Sequence, residues 1–276
     1  GQSSLYANTT GGNNTAVGLD ALYANTTGTS NVAVGKGAFR TNTTAGYGVA
    51  VGREALALNT TGTQNTAVGD VALYYNTTGA YNVAVGRLAL HNNTTANNNT
   101  AVGMQALTAN TTGADNTAVG KGALLSATTA PANVAVGSEA LESCTTGSQN
   151  VAVGVASLKS NTTAANNSAF GRNALTTNTT GDYNTACGES ALSLNTTGSD
   201  NTSVGRRALG ENTTGANNTA IGYGAGDVLT TGPNNTIIGK GADPSAADAD
   251  SQIVIGVGLT GKGNSTAFIG GSLGAY

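Results

Sequence analysis

Hydrophobic and polar positions follow a pattern along this chain that returns every seventeen residues. Each period contains a segment such as Asn31-Val32-Ala33-Val34, in which β-branched residues alternate with alanine, and a glycine, Gly35, follows it. This alternation is typical of a short β-strand. A unit of constant length that recurs without interruption stacks on copies of itself. The pattern therefore predicts a mainly β fold, a parallel β-solenoid (β-roll) of about fifteen 17-residue coils.

Both faces of the predicted strand keep their residue types from coil to coil. Val32 and Val34 lie on one face, and Asn31 and Ala33 lie on the other. A strand with one solvated face should vary on that face, so both faces are expected to pack. One face can meet the rest of its own coil, whose interior is expected to hold one Val, one Leu and two Ala. The other face needs a partner, most simply another copy of the chain, which predicts a homo-oligomer. The valines expected to form a ladder are Val17, Val34 and Val51.

The half of each coil that follows the glycine is predicted to contain a helical turn. Its fixed residues are spaced by three and four positions, which places them on one face of a helix. Alanine at one of them favours a helix over a strand. One to two helical turns are expected, with a second short strand as the alternative. The fixed residues of the second coil are Gly18, Ala21, Leu22, Asn25 and Thr26, and the leucines expected in the core include Leu22 and Leu56.

A turn with the sequence Asn-Thr-Thr closes almost every coil. One hydroxyl of the pair Thr26 and Thr27 is expected to bond the backbone within the turn. The other hydroxyl is expected to stack with its equivalents in neighbouring coils. Asn31 and its equivalents are expected to form a ladder of stacked amides. The recurring glycines, such as Gly18 and Gly35, belong to the same set of structural ladders.

The repeat also sets the predicted domain boundaries. Residues 1–240 form the repeat solenoid, and residues 241–276 form irregular C-terminal coils or a cap, because the leucine and the Thr pair are lost there. A single coil cannot fold alone, since its small apolar area does not offset about 1–2 kcal/mol of backbone entropy per residue. Stacking is therefore expected to stabilise a rod of coils.

Composition and charge argue against several kinds of function. Only 9% of the residues are charged and the net charge is -3, which argues against binding to nucleic acid or to an anionic membrane. No apolar run approaches about 18 residues, so no membrane insertion of this segment is expected. The single histidine, His91, lies at a variable position, and no catalytic set or cofactor motif is present, so we do not expect an enzyme. The weak candidates for a cation site are Asp243, Asp248 and Asp250.

Three other residue types carry hypotheses of their own. Cys144 and Cys187 lie on different faces and more than two coils apart, which is too far for a disulfide. Tyrosines at variable positions are expected to be exposed, either as ordinary surface residues or as contacts for a glycan or a protein. The Asn-Thr-Thr sequence is either a structural turn or an N-glycosylation sequon. The possible glycosylation sites include Asn8, Asn25, Asn42, Asn59 and Asn76.

The strand motif Asn-Thr-Ala-Ile-Gly at 218–222, with its Val-containing variants, resembles the strand repeats of YadA-like trimeric autotransporter heads. The longer unit, with Ala-Leu and Asn-Thr-Thr-Gly, is similar to repeats in phage tail fibres and bacterial surface proteins. The resemblance covers residues 1 to about 240, although this unit is longer than is usual for those heads. It implies a homotrimeric, extracellular or virion-borne fibre that attaches to a host surface receptor or glycan.

These observations predict a structural fibre or adhesin shaft on a cell surface or virion, which mediates attachment or extends a binding tip. Its main partner is expected to be the chain itself, possibly end to end. Two alternatives remain from the residues alone. One is a subunit of a self-assembling extracellular filament, and the other is an ice-binding protein that orders water on threonine ladders.

Overall fold

The computed structural model describes residues 1–271 and 274–275. Over these residues the chain is a parallel β-solenoid of about fifteen turns, with one short strand in each 17-residue repeat and no helix. The predicted fold class is confirmed. The chain divides into two compact units, Gly1–Ser138 and Glu139–Tyr276.

The first unit contains eight strands of three residues each, which pair in chain order and in parallel. Thr15 pairs with Val32 and Val17 with Val34, so residues one repeat apart lie side by side. The strands are β1 (Thr15–Val17), β2 (Val32–Val34), β3 (Val49–Val51), β4 (Thr66–Val68), β5 (Val83–Val85), β6 (Thr100–Val102), β7 (Thr117–Val119) and β8 (Val134–Val136).

The second unit continues the same architecture. Its strands are β9 (Val151–Val153), β10 (Ser168–Phe170), β11 (Thr185–Cys187), β12 (Thr202–Val204), β13 (Thr219–Ile221), β14 (Thr236–Ile238), β15 (Ile253–Ile255), β16 (Ala267–Gly271) and β17 (Gly274–Ala275). From β9 to β16 each strand is parallel to the next in the same register. The last strand, β17, pairs antiparallel with the end of β16.

The middle residue of each strand points into the coil. Ala33 and Ala50 are fully buried, and so are Ala21 and Leu22 of the turn segment. The expectation that a valine of each coil also lies inside is wrong, since Val17 is 56% exposed. In most coils a leucine and two alanines fill the interior, so the strand contributes only a methyl group there and turns its larger β-branched side chains outward.

The helical turn predicted after each glycine is wrong. Residues 18–25 form two successive β-turns, closed by the N–H of Ala21 to the C=O of Gly18 (3.4 Å) and by the N–H of Asn25 to the C=O of Leu22 (3.3 Å). Leu22 has a φ angle of 51°, which a right-handed helix excludes. The alternative, a second strand, is not found in this segment either. Two turns in succession space the fixed residues by three and four, which imitates the spacing of a helix.

The leucines of the core adopt a left-handed backbone. The φ angles of Leu22, Leu56 and Leu73 are 51°, 52° and 52°. This conformation costs about 1–2 kcal/mol for a residue with a Cβ atom, whereas burying a leucine side chain contributes about 1.5–3 kcal/mol. The conformation is therefore stable only where neighbouring coils cover the leucine, which ties the shape of one coil to the presence of the next.

The recurring glycine is required by both conformation and contact. Gly18 and Gly35 each have a φ angle of 133°, a region that residues with a side chain rarely adopt. A Cβ atom on Gly18 would also lie 2.5 Å from the carbonyl oxygen of Gly35. Each of the strands β1–β15 is therefore followed by a glycine whose conformation residues with a side chain rarely adopt.

The coil after Ile238 keeps the repeat register although its residue types change. Gln252 takes the position of Asn31 and is buried, while Asp243 takes the position of Leu22 and forms a bridge with Thr260. The strands β15 and β16 remain in register across a shorter interval. Residues 272, 273 and 276 of the predicted C-terminal segment lie outside the described residues.

Candidate functional site

The first and third residues of each strand form a surface that we call the outward strand face. In the first unit its first column contains only Thr and Val, and its third column is Val throughout. In the second unit the columns also contain Ser168, Phe170, Cys187 and several isoleucines. No residue of either column in β1–β16 is charged. The valines Val17, Val34 and Val51, predicted to form a ladder, stand in the third column and face outward.

The apolar side chains of the outward strand face are partly uncovered. Ile221 is 41% exposed, and Val102 and Val119 are each 36% exposed. Exposed apolar groups on a soluble surface are ordinary when isolated, but a contiguous row of them marks an interaction surface. The register brings these side chains into contiguous rows along each unit.

In many coils a charged side chain lies next to this face, at the position that follows the strand glycine. In the first unit Arg53 Nε lies 2.8 Å from Asp70 Oδ1, and Arg87 Nε lies 3.8 Å from Asp70 Oδ2. In the second unit Arg172 bonds Glu189 and lowers the pKa of that carboxyl group. Such exposed pairs contribute little to stability, because solvent screens them. Charged side chains therefore lie immediately beside the outward strand face, while the face itself has none.

Two columns of asparagines run through the coils. In the first, named the Asn25 column, Nδ2 of Asn25 donates to Oδ1 of Asn8 (2.7 Å) and to the C=O of Gly28 (3.0 Å). Nδ2 of Asn42 donates in turn to Oδ1 of Asn25 (2.7 Å). Each amide thus binds its own turn and the preceding coil, which satisfies polar groups that would otherwise be buried without partners.

The second column, the Asn31 column, connects side chains to backbone. Nδ2 of Asn31 donates to the C=O of Ala45 in the next coil (2.9 Å), and Oδ1 accepts the N–H of Gly48 (2.9 Å). The N–H of Asn31 donates to Oδ1 of Asn14 in the preceding coil (2.9 Å). Asn31 therefore bonds both neighbouring coils.

The two threonines of the turn have different environments. Oγ1 of Thr26 donates to the C=O of Thr43 in the next coil (2.9 Å), and the N–H groups of Thr26 and Thr27 point to the same oxygen (2.9 and 3.1 Å). The side chain of Thr27 is exposed. The hydroxyl bond to backbone was expected within the turn, and it runs between coils instead.

The predicted glycosylation sites coincide with the Asn25 column. Asn25, Asn42, Asn59 and Asn76 are fully buried, and their Nδ2 atoms donate to neighbouring coils and to their own turns. Asn8, in the first coil, is half-buried, with Nδ2 bonded to the C=O of Gly11 (2.9 Å). A glycan on Nδ2 is incompatible with the buried geometry, so in the folded coils these sequences act as structural turns.

The ladder role of the Asn25 column was not predicted from the sequence. A signal for it existed in the residues that replace this asparagine within residues 1–240, Ala127, Cys144 and Leu229, all of which are fully buried. A surface glycosylation site would also accept charged or large polar replacements. Replacement by small or apolar residues alone indicates a position inside the fold.

The two cysteines are both free and lie in different environments. Cys144 is buried in the Asn25 column, where burial raises the pKa of its thiol to about 11. Its Sγ lies 3.4 Å from the C=O of Gly147 and replaces the amide contact of an asparagine. Cys187 is exposed in the third column of the outward strand face.

Aromatic side chains cluster on the variable surface. The rings of Tyr6 and Tyr23 stack with centroids 5.2 Å apart. His91 stacks on Tyr74 at 5.5 Å, and its Nδ1 lies 3.0 Å from the C=O of Val71. Exposed tyrosines also stand singly in the turn before the strand, and these are Tyr47, Tyr81 and Tyr183.

The structure does not bring the acidic residues predicted as weak cation ligands into one site. Asp243 is half-buried, and burial together with the charge of Asp227 raises the pKa of its carboxyl group. Asp250 accepts hydrogen bonds from Asn234 and Ser251, while Asp248 is exposed. Among residues 1–271 and 274–275, no group of three or more His, Cys, Asp or Glu side chains is placed to hold a metal ion.

Comparison with known proteins gives no family. No protein-family model matches the chain, and no curated protein matches it in sequence. Within the described part of the chain, no helix has the length and apolar character needed to cross a bilayer.

Proposed function

We propose that this chain is a structural, non-enzymatic segment of a fibre or adhesin shaft, displayed outside the cell on its surface or on a virion. In this proposal copies associate as a homotrimer through the outward strand face. The observation that supports it most is the chemistry of that face, which is uncharged over every described strand of each unit while its Val and Ile side chains are partly exposed in the single chain.

A repeating partner covers such a face better than a compact one. Each coil contributes a small apolar area, worth about 25 cal/mol per Å² when covered, and the contributions add along the strands. A compact globular partner would contact a few coils only. Another copy of the chain has the same period in every coil, so it can contact each strand in the same way.

The attachment role in this proposal falls to the variable surface. Tyr47, Tyr81 and Tyr183 are 67%, 56% and 60% exposed at equivalent turns. Exposed tyrosine offers an apolar ring with a polar end, which suits contact with a glycan or with a receptor protein. These contacts would lie outside the outward strand face, so association and attachment would use different surfaces.

The association is tested by light scattering of the purified chain, with a mass of three chains as the expected result. Val102→Lys should convert the sample to single chains, because it places a charge in the face that the proposal buries. Met104→Lys is the matched control, since Met104 is 40% exposed two residues further on, at a position where the next coil has Lys121. This control should keep the three-chain mass.

A folded, single-chain mass for the unmodified protein would refute the association. Large polymers, seen as long fibres in negative-stain images, would favour the filament alternative instead. Equal loss of mass in both lysine variants would show that the face is not the contact, because the control lies outside it.

Ice binding is a second candidate, favoured by one observation. The Thr27 column leaves an exposed threonine in successive coils of each unit, and a regular row of hydroxyl groups can order water. The Thr26 column is half-buried and bonded to backbone, so the exposed array is only one residue wide. A thermal-hysteresis measurement decides the matter, and clear activity abolished by Thr61→Lys and Thr78→Lys together would replace the fibre proposal.

A further inference from the structure

Tyr47 and Tyr81 of the first unit occupy equivalent positions, two residues before strands β3 and β5. The same position holds Gln64 in the coil between them and Asn98 in the coil that follows. In all four coils the backbone N–H of this residue donates to a C=O of the preceding coil, over 3.0, 3.1, 3.1 and 3.2 Å in chain order. The four residues therefore form one column along the stacked coils, which we call the Tyr47 column, with neighbours about 4.8 Å apart.

The tyrosines of this column have an unfavourable backbone conformation that burial does not offset. Tyr47 and Tyr81 both have a φ angle of 60°, in a left-handed region that asparagine and aspartate tolerate and that bulky residues rarely adopt. Leu22 has a similar conformation but is fully buried. Tyr47 and Tyr81 are instead 67% and 56% exposed. A bulky side chain in such a conformation without burial is typical of a position that contacts a ligand.

The surface around the two rings is polar and uncharged. Thr44 and Thr78 are exposed three residues before the tyrosines, and the amide of Gln64 is exposed between them. A tyrosine ring packs against the apolar C–H face of a sugar, while hydroxyl and amide groups bond the sugar hydroxyls. The turn residues that end at members of the Tyr47 column include no Asp, Glu, Lys or Arg, and these are residues 44–47, 61–64, 78–81 and 95–98.

The distance between the rings favours one kind of chain molecule. Two coils separate Tyr47 from Tyr81, which corresponds to about 9.6 Å. In an extended β-1,4-linked polysaccharide each sugar spans nearly the distance between adjacent coils and is turned over relative to the one before it. The same sugar face therefore recurs at every second sugar, as the tyrosines recur at every second coil. An extended peptide fits less well, because its side chains on one face recur at about 6.6 Å.

We propose that the Tyr47 column binds an uncharged, extended β-1,4-linked polysaccharide that lies along the stacked coils of the first unit. Tyr47 and Tyr81 each pack against one sugar, and Gln64 and Asn98 bond the hydroxyl groups of the sugars that follow them. This inference rests on the attachment role in the proposed function and names the chemical class of its ligand.

Isothermal titration calorimetry with the hexamer of β-1,4-linked glucose tests the ligand class. The unmodified chain should bind this hexamer with a Kd of about 1 mM or tighter. The hexamer of α-1,4-linked glucose has the same composition but a curved shape, and it should bind at least about tenfold more weakly. Equal affinities for the two hexamers would overturn the inference, because the rings would then not distinguish the extended repeat.

Removal of one ring tests the role of the pair. Tyr81→Ala should weaken binding of the β-1,4-linked hexamer about tenfold or more, because it removes one of two stacking surfaces. Tyr183→Ala is the matched control, since Tyr183 is 60% exposed at the same turn of the second unit. The positions two coils away from it hold Gln149 and Asn217, so it has no second ring at this spacing, and the control should keep its affinity within about twofold. Equal losses in the two variants would overturn the assignment to the Tyr47 column, and circular dichroism shows that both variants fold.

A variant of unchanged composition tests the spacing. Gln64→Tyr together with Tyr81→Gln brings the two rings to adjacent coils, about 4.8 Å apart. Its affinity for the β-1,4-linked hexamer should fall as far as that of Tyr81→Ala. An affinity equal to that of the unmodified chain would show that the two-coil spacing does not select the ligand.

The failure of this inference is distinguishable from the failure of the proposed function. A chain that scatters as three copies but binds neither hexamer overturns the polysaccharide site and leaves the proposed shaft intact. A single-chain mass overturns the association, and calorimetry on the same sample still decides whether the Tyr47 column binds the hexamer.

Discussion

The inside of the coils and the outward strand face both repeat their residue types, yet their exceptions differ. Inside the coils, an unusual residue either has a neighbour of compensating size, as Phe39 has in Gly48, or leaves a buried polar atom without a partner. Asn110 Oδ1 is buried without a partner, since the next position of its column is Ala127. On the outward strand face Phe170 also lies beside small residues, Ser168 and Cys187, but Phe170 and Cys187 are exposed in the single chain. The comparison teaches that exceptions to a repeat report which surfaces are packed, whereas the repeat alone does not.

The second unit contains another interior exchange. Gly226 takes the position of the core leucine, and Leu229 takes the position of the column asparagine three residues later. A Cβ atom on Gly226 would lie 2.9 Å from Ile237 Cδ1 and 3.0 Å from Leu209 Cδ2. The leucine side chain of this coil thus lies three residues later than usual, so the interior keeps its apolar side chain, as close packing requires.

The two cysteines give the largest contrast between inside and outside. Cys144 has a thiol pKa of about 11 because it is buried, well above the usual value for cysteine. Since the thiolate is the reactive form, its alkylation at neutral pH should be slower by about 100-fold or more than that of an ordinary thiol. Cys187 is exposed and should react first in single chains. Mass spectrometry of iodoacetamide-treated protein, digested at intervals, measures both rates.

Denatured protein is the control for this measurement, because both thiols should then react at similar rates. Equal rates in the folded protein would contradict the buried placement of Cys144. Protection of Cys187 in the oligomer, relieved by Val102→Lys, would place that residue under the contact.

Restoring the usual asparagine at Gly48 should cause the largest loss of stability. The side chain of Gly48→Asn would occupy the space of the Phe39 ring, and overpacking of this kind costs about 1–3 kcal/mol. Phe39→Leu made together with it should recover most of the loss, since the coil then matches its neighbours. Chemical denaturation of the two single variants and the double variant measures the coupling. Additive effects, with no recovery, would show that the two residues do not share one space.

The fold was largely predictable because its determinants are local and repeat. The glycine period located the coils, and the predicted strand at 31–34 matches β2 at 32–34. Which face of that strand points into the coil was not predictable, since both faces keep their residue types from coil to coil. The difference between Ala33 and the flanking valines decides it only once Leu22 is known to fill the interior.

The helical turn was wrong for a physical reason that sequence spacing does not reveal. Two β-turns joined end to end place Ala21, Leu22 and Asn25 at almost the same intervals as a helix. Leu22 takes a left-handed backbone that its intrinsic preference opposes, and contacts with adjacent coils decide the outcome. The candidate surface was partly predictable, because the need for a partner was expected from the fixed strand faces, while the neighbours of Phe170 on that surface required the register of β9, β10 and β11.

Completing the interrupted asparagine column in the first unit should stabilise the chain by about 1 kcal/mol. Ala127→Asn gives Asn110 Oδ1 the donor that it lacks, and a buried unsatisfied acceptor costs about 1–3 kcal/mol. Ala109→Asn is the control. It introduces the same side chain at a half-buried, variable position, where the preceding coil already has Asn92. Thermal unfolding should show a gain for the first variant and none for the second. A loss for Ala127→Asn would mean that the coil has no space for the amide.

The smallest predicted effect concerns Asp243, where the repeat places a carboxylate in the position of a core leucine. Burial and the charge of Asp227 raise its pKa in the folded state, so the folded chain binds its proton up to a higher pH than the unfolded chain. The free energy of unfolding therefore falls as pH rises from the unfolded pKa, about 3.9, through the folded pKa, and the penalty is complete above it. Asp243→Asn keeps an acceptor for the N–H of Val228 (3.4 Å) and should be more stable at neutral pH by under about 1 kcal/mol, since solvent screens a half-exposed group. Melting temperatures over this pH range should converge for variant and unmodified chain at the acidic end.

Asp248→Asn is the control for this prediction, because it removes one negative charge from an exposed position of the same coil. If it gave the same gain, the effect would come from net charge and not from the partial burial of Asp243.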